Sequence, residues 1–319
     1  MRIFALAAAA LAAACSPAGP RGHQAAETPA HEDGRAPIDG LYAAYEALVE
    51  RGWSLEVVVE SRPEGTSRSL PIIALRSPQK GPAVWILAGI HGEEPAGPNA
   101  IAAAIEDIAR LGERRPVVLL PLLNPQGYAR NWRYLNVAVY DEATPGNSVG
   151  DSSHLLPDAA SSGRARAMSA SSQEADAITR YVLARSADYP PAVSIDLHED
   201  NLIHEGYVYS QGKQGATDPL ALEAVTVLRD AGVPLKGSGT TRFGEPVLGG
   251  IIGPVTDSSI DELLSADTVI VGGAARPGPG AATVLVFETP AATLPLDRRV
   301  AAHAALLRRL AGLLAGQAG

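Results

Sequence analysis

The sequence predicts an α/β fold, a sheet covered by helices, on the strength of three observations. Strand-like and helical segments alternate over residues 53–315. Several strand-like segments are continuous apolar runs, as in strands buried on both faces. Chemically suggestive residues follow the carboxyl ends of those runs, where open α/β sheets place their sites.

Taken in order, Leu41, Tyr45, Leu48 and Val49 give a short amphipathic helix. The alternating stretch Trp53 to Glu60 reads as a strand, and Ser69 to Arg76 as another after the Pro63-Glu64-Gly65 turn. The core runs are Ala83 to Ala88, Val117 to Leu123, Val193 to Leu197 and Thr283 to Phe287. Ile101, Ile105 and Ile108 share one helical face, as do Ala175, Ile178 and Val182. Leu306, Leu310 and Leu313 mark a terminal helix. No second domain and no internal repeat emerges.

The 319 residues are 46% apolar and 19% charged, enough for a sizeable core and unlike a disordered or collagen-like chain. Lys and Arg total 26 against 35 Asp and Glu, so the basic footprint expected of a nucleic-acid binder is missing. Residues 1–14 read as an export signal, with Arg2 ahead of an Ala-rich apolar stretch too short for an ordinary membrane span. The stretch ends at Cys15, the only cysteine, which excludes a disulfide within one chain. This ending resembles a bacterial lipoprotein signal, which implies lipidation at Cys15 and a membrane anchor. By resemblance to enterobacterial sorting rules, Ser16 after the cysteine leans the placement toward the outer membrane, so the expected location is the outer membrane or the periplasmic side of a membrane. Residues 15–37, rich in Pro, Gly, Ala, Glu and His, read as a flexible tether, and 38–319 as a single domain.

The run 83–88 leads into His91-Gly92-Glu93-Glu94, 117–123 ends at Asn124-Pro125-Gln126-Gly127, 193–197 ends at His198, and 283–287 ends at Glu288. Parallel strands would bring these residues to one edge. His91 and Glu94, three apart, can point an imidazole and a carboxylate at one ion. His198 can complete a two-His, one-carboxylate set with an open position for water, the pattern of catalytic zinc. Asp196 either orients a ligand from behind or bonds nearby backbone.

The order His91-Gly92-Glu93-Glu94, Asn124-Pro125-Gln126-Gly127, Asp196-Leu197-His198-Glu199, Phe287-Glu288-Thr289-Pro290 resembles the zinc carboxypeptidase superfamily, including its succinylglutamate desuccinylase and aspartoacylase relatives. The resemblance spans roughly residues 50–315. It implies a mixed, mostly parallel twisted sheet of about eight strands flanked by helices, with one Zn²⁺ per chain at its edge. It places the metal ligands on His91, Glu94 and His198, and the general base and acid on Glu288. The chemistry agrees: zinc acidifies bound water and polarises a carbonyl, while an uncoordinated carboxylate moves the proton.

Substrate contacts are less defined. The resemblance implies an Arg after the Asn-Pro-x-Gly turn that polarises the scissile carbonyl, a role open to Arg130 or Arg133, with Asn131 and Asn136 alongside. The Asn-Arg pair that would hold a terminal carboxylate is missing; Gly150 to His154 stands in its place, and His154 either binds substrate or caps a loop. Residues 141–172 read as a wall or lid of the cleft. Tyr207 and Tyr209 flank Val208 on an expected strand, with at most one of them expected to face the cleft. Arg242 is a candidate for a relocated carboxylate contact, and Ser259-Ile260-Asp261 is assigned no catalytic role.

The sequence therefore predicts an exported, zinc-dependent hydrolase of an amide bond in a peptide or cell-wall peptide. Deacylation of an N-acyl amino acid is the second enzymatic reading. A non-catalytic binding lipoprotein is the third. No oligomeric state follows from the sequence.

Overall fold

The computed structural model describes residues 32–62, 68–135, 172–241, 244–255, 259–271 and 274–316. Cys15, Asn136, His154 and Arg242 lie outside them.

The chain packs as a central sheet between two helical layers. After α1 (Ile38–Glu46) come β1 (Ser54–Ser61), β2 (Leu70–Arg76) and β3 (Ala83–Ala88). Helices α2 (Ala96–Ala103) and α3 (Ile105–Arg114) lead to β4 (Val117–Leu120) and α4 (Pro125–Arg130). Then follow α5 (Gln173–Arg185), β5 (Pro191–Asp200), β6 (Tyr207–Ser210), α6 (Pro219–Asp230), β7 (Ser238–Thr240), β8 (Pro246–Leu248) and β9 (Ile251–Ile252). The chain closes with α7 (Ile260–Ser265), β10 (Thr268–Val271), β11 (Ala274–Pro277), β12 (Thr283–Pro290) and α8 (Leu296–Ala315).

The main sheet has ten strands in the order β1-β2-β4-β3-β5-β12-β6-β9-β8-β7, and β10 pairs with β11 separately. The centre, β4-β3-β5-β12, runs parallel, as does the short β6-β9 pair; β1-β2, β2-β4, β12-β6, β8-β9 and β7-β8 are antiparallel. The sequence had pointed to about eight, mostly parallel. The excess lies at the β9-β8-β7 edge, whose strands of two or three residues are too short to show a periodic pattern.

Burial follows the two-residue period of the strands. Val84, Ile86, Ile195, Leu197, Leu285 and Phe287 face α1, α2, α3, α6 and α8, while Trp85, Leu87 and Val284 face α5 and α7. Each fully buried aliphatic or aromatic side chain contributes roughly 1.5–3 kcal/mol against exposure. The even-numbered residues of β5, Ser194, Asp196 and His198, occupy the α7 side, so polar groups interrupt that layer at its carboxyl edge.

Two expectations are revised here. The helix over Ile101, Ile105 and Ile108 breaks at Ala104 (φ −113°, ψ 18°), and Ile105 is only partly buried. The packed part also begins before Ile38, because Arg35 is buried although its local composition is that of a tether.

Candidate active site

Backbone register assembles the site before any side chain is considered. In the parallel pair β5-β12, Glu288 lies opposite His198 and Thr289 opposite Glu199. β3 runs parallel beside β5 and ends at Ala88, so the turn carrying His91 and Glu94 emerges at the same edge. Asn124 starts α4 there: its side chain accepts from Gly127 N at 2.8 Å, Pro125 occupies the first turn where no donor is needed, and Asn124 Nδ2 donates to Arg133 O.

His91, Glu94 and His198 are buried, and one donor atom from each lies within 4.8 Å of the others. Glu94 is the hub. Its Oε1 is 2.8 Å from His91 Nδ1 and accepts from Arg133 Nη1 at 2.9 Å; its Oε2 is 3.2 Å from His198 Nδ1 and accepts from Glu199 N at 3.0 Å. Burial alone would raise the Glu94 carboxyl, but His91 and His198 outweigh it and hold the group well below the usual carboxylate range. His198 is the converse case. Desolvation pulls its pKa down, yet Asp196 and Glu94 push it well above the ordinary imidazole value.

Those three residues make a two-His, one-carboxylate donor set of the kind that suits zinc with an open coordination position. The fit is electrostatic as well. Two buried acids, Asp196 and Glu94, flank His198, and a metal ion would supply positive charge among them. Asp196 Oδ2 lies 3.2 Å from His198 Nε2, on the ring edge away from Glu94. Asp261 of α7 approaches the same edge, within 4.8 Å of donors on Asp196 and His198. This placement of Asp261 gives the Ser259-Ile260-Asp261 tripeptide a position beside the centre.

Glu288 is buried on the same face, and its Oε2 has no hydrogen-bond partner among the described residues. Desolvation is the main cause of a pKa pushed up to about 8; His198 and His91 oppose the rise, while Glu94 and Asp200 add to it.

The remaining candidates separate. Arg133 reaches the centre, donating to Glu93 Oε1 at 3.0 Å and to Glu94, whereas Arg130 is exposed at the end of α4. Asn131 is exposed, but its Oδ1 accepts from Arg35 Nη2 at 2.5 Å, so the side chain is engaged by the protein. Tyr207 and Tyr209 stand on one face of β6 with ring centroids 5.5 Å apart, which corrects the expectation that at most one would share the cleft face. Residues two apart on a strand point the same way. Tyr207 lies opposite Glu288 in the ladder and donates to Asp200 Oδ2 at 2.7 Å; Tyr209 donates to Glu245 Oε2 at 3.2 Å.

Sequence reasoning did not single out Glu199, Arg299 or Arg35. Glu199 forms a buried ion pair with Arg299 of α8 and accepts from Ala96 N at the start of α2 at 2.6 Å. Its only signal was adjacency to His198; the two arginines carried none.

Comparisons with known proteins bear on the family resemblance and the fold. Residues 80–236 match the model of the succinylglutamate desuccinylase/aspartoacylase catalytic domain, a segment that contains His91, Glu94 and His198 and stops short of Glu288. A provisionally described metallopeptidase of Shewanella baltica OS155 superposes with a TM-score of 0.66 at 24% identity, covering 86% of this chain and 92% of that one. Carboxypeptidase A of Helicoverpa armigera superposes with a TM-score of 0.55 at 13% identity, covering 89% of this chain and 75% of the other. At these identities the structural likeness is one of fold. Carboxypeptidase 2 of Trichophyton tonsurans is 37% identical over 59 residues, 16% of this chain, and the match spans only 11% of that relative's length. The resemblance to zinc carboxypeptidases and their desuccinylase and aspartoacylase relatives, read from four short motifs, is borne out, as is the α/β fold it implied.

Proposed function

We propose that this protein is a zinc-dependent hydrolase of amide bonds in peptides or cell-wall peptides, anchored through a lipidated Cys15 at the periplasmic side of a bacterial membrane, with the outer membrane favoured. The observation that carries the catalytic part is the convergence of His91, Glu94, His198 and Glu288 at one buried sheet edge.

In this reading His91, Glu94 and His198 hold the ion. When bound, it supplies Lewis-acid polarisation of a carbonyl and acidification of water. Glu288 Oε2, buried and without a competing donor among the described residues, receives a proton from the attacking water and returns it to the leaving nitrogen. Asp196, at His198 Nε2, fixes that ring's orientation. Arg133 stabilises the oxygen that gains negative charge as the carbonyl is attacked, a task suited to a planar guanidinium.

The desuccinylase/aspartoacylase match favours a second reading, removal of an acyl group from an N-acyl amino acid by the same residues. One experiment addresses both. Zinc-replete and chelated protein are incubated with peptides, cell-wall peptides and N-acyl amino acids, and products are identified by mass spectrometry alongside Glu288→Gln at matched zinc content. A zinc- and Glu288-dependent product identifies the bond and the substrate class. Unchanged hydrolysis by Glu288→Gln would refute the proton-transfer role, and no product from folded, zinc-loaded protein would favour a binding lipoprotein.

A further inference from the structure

Arg35 stands in the Pro- and Ala-containing segment that precedes the first helix, yet its side chain is only 1% exposed. Each of its five N–H groups has an acceptor. Nε and one Nη2 hydrogen go to Asp33 Oδ2 at 2.8 and 2.6 Å, and the second Nη2 hydrogen goes to Asn131 Oδ1. Nη1 donates to Gly92 O at 3.0 Å and Tyr128 O at 2.6 Å, and the guanidinium carbon lies 4.9 Å from the Tyr128 ring centroid.

The acceptors are what matter. Gly92 sits between His91 and Glu94, and its peptide is gripped from both sides: Arg35 takes the carbonyl while Gly92 N donates to Arg133 O at 3.2 Å. Tyr128 O belongs to the last turn of α4, where it also accepts from Asn131 N at 3.4 Å and where a cation is favoured. Asn131 is the only non-glycine residue with positive φ (55°) among the described residues, and that left-handed conformation turns the chain toward Arg133. One guanidinium thus joins the turn carrying two candidate ligands to the turn that aims the candidate carbonyl-polarising arginine.

We propose that Arg35 is a positioning residue of the active site, setting the His91–Glu94 turn and the Asn131–Arg133 turn relative to each other; this rests on the zinc-hydrolase reading above. Lysine cannot take the role, because it offers three donors around a point charge rather than a planar fork.

The test compares wild type, Arg35→Lys and Arg35→Ala in the whole mature chain. Zinc affinity is measured by chelator competition, ligand geometry by the absorption spectrum of the cobalt-substituted protein, and kcat and KM on the substrate found above. Both variants should lose about tenfold to a hundredfold in zinc affinity or kcat, as replacements behind metal ligands commonly do. The cobalt spectrum should shift, and added guanidinium ion should restore part of the loss in Arg35→Ala but not in Arg35→Lys. Wild-type zinc affinity, cobalt spectrum and kcat in either folded variant would overturn the proposal. So would lowered unfolding stability with those three unchanged, the outcome of a purely structural residue. If Arg35→Ala does not fold, Arg35→Lys decides. If wild type hydrolyses nothing, the hydrolase reading fails while zinc affinity and the cobalt spectrum still judge Arg35.

Discussion

Replacing Glu199 by Ala tests whether the ligand-bearing edge of the sheet is held from the helical layer behind it. Glu199 is 3% exposed and Arg299 8%, so the pair is shielded from water. The carboxylate also accepts from Ala96 N at the amino terminus of α2, while its own backbone N–H donates to Glu94 Oε2. Truncation strands a buried guanidinium and an unpaired helix-start N–H. Removing one partner of a buried pair costs about 3–5 kcal/mol, most of it the penalty of leaving the other charge unpaired. The assay is urea unfolding of zinc-free protein in a double-mutant cycle with Arg299→Met. Each single replacement should lower stability by about 3 kcal/mol or more, while the double replacement loses less than the sum, giving a coupling of at least about 2 kcal/mol. Additive losses with coupling under about 0.5 kcal/mol would refute the idea that the two residues act as a pair.

Three further outcomes are expected. A Cβ on Gly92 would stand 2.1 Å from Gly127 C and 2.3 Å from Trp132 O, both backbone, so Gly92→Ala should cost roughly 3 kcal/mol and weaken zinc binding; wild-type unfolding and affinity would contradict the packing. His303 is buried against Thr289 Oγ1 at 3.0 Å, and burial pushes its pKa down to about 3, so it folds neutral while the unfolded chain binds a proton near pH 6.5. Its contribution is present above pH 6.5 and lost as pH falls toward 3; between pH 7 and 5 wild type should lose about 2 kcal/mol more than His303→Gln, measured by urea unfolding, and parallel curves would contradict this. Finally, Arg133→Gln should lower kcat/KM by about 10²–10³ while Arg130→Gln leaves it near wild type, and the reverse ranking in steady-state assays would move the carbonyl contact to Arg130.

The part of the fold legible in the sequence is the part governed by short-range periodicity. The core runs at 83–88 and 283–287 became β3 and β12, and the run at 117–123 became β4 over Val117–Leu120 only, because an unbroken apolar run in a chain of this length has few other places to go. Strand ends then point to an edge, which is why His91, Glu94, His198 and Glu288 were legible as a group. The short strands β7, β8 and β9 were not, since two or three residues carry no period. Arg35 and Arg299 were illegible for a different reason. Each acts across a large sequence separation, Arg35 on Gly92 and Tyr128, Arg299 on Glu199, and nothing in a neighbouring motif marks them.

Those long-range arginines sort the acidic groups around the centre by what each is free to do. Glu199 is paired with Arg299, Glu93 and Glu94 with Arg133, and Asp33 with Arg35. A buried carboxylate with a guanidinium partner stays ionised and makes a poor proton carrier, because giving up its charge strands the arginine. Glu288 stands outside this pairing. Desolvation, its largest influence, favours the protonated form, and positive charge on the neighbouring donors His91 and His198 favours the carboxylate. Its protonation state therefore responds to charge gathered at those donors rather than to a fixed partner. That is the property required of the group that must first take a proton and then release it, and it sets Glu288 apart from the arginine-paired acids, in keeping with the proton transfer proposed for it.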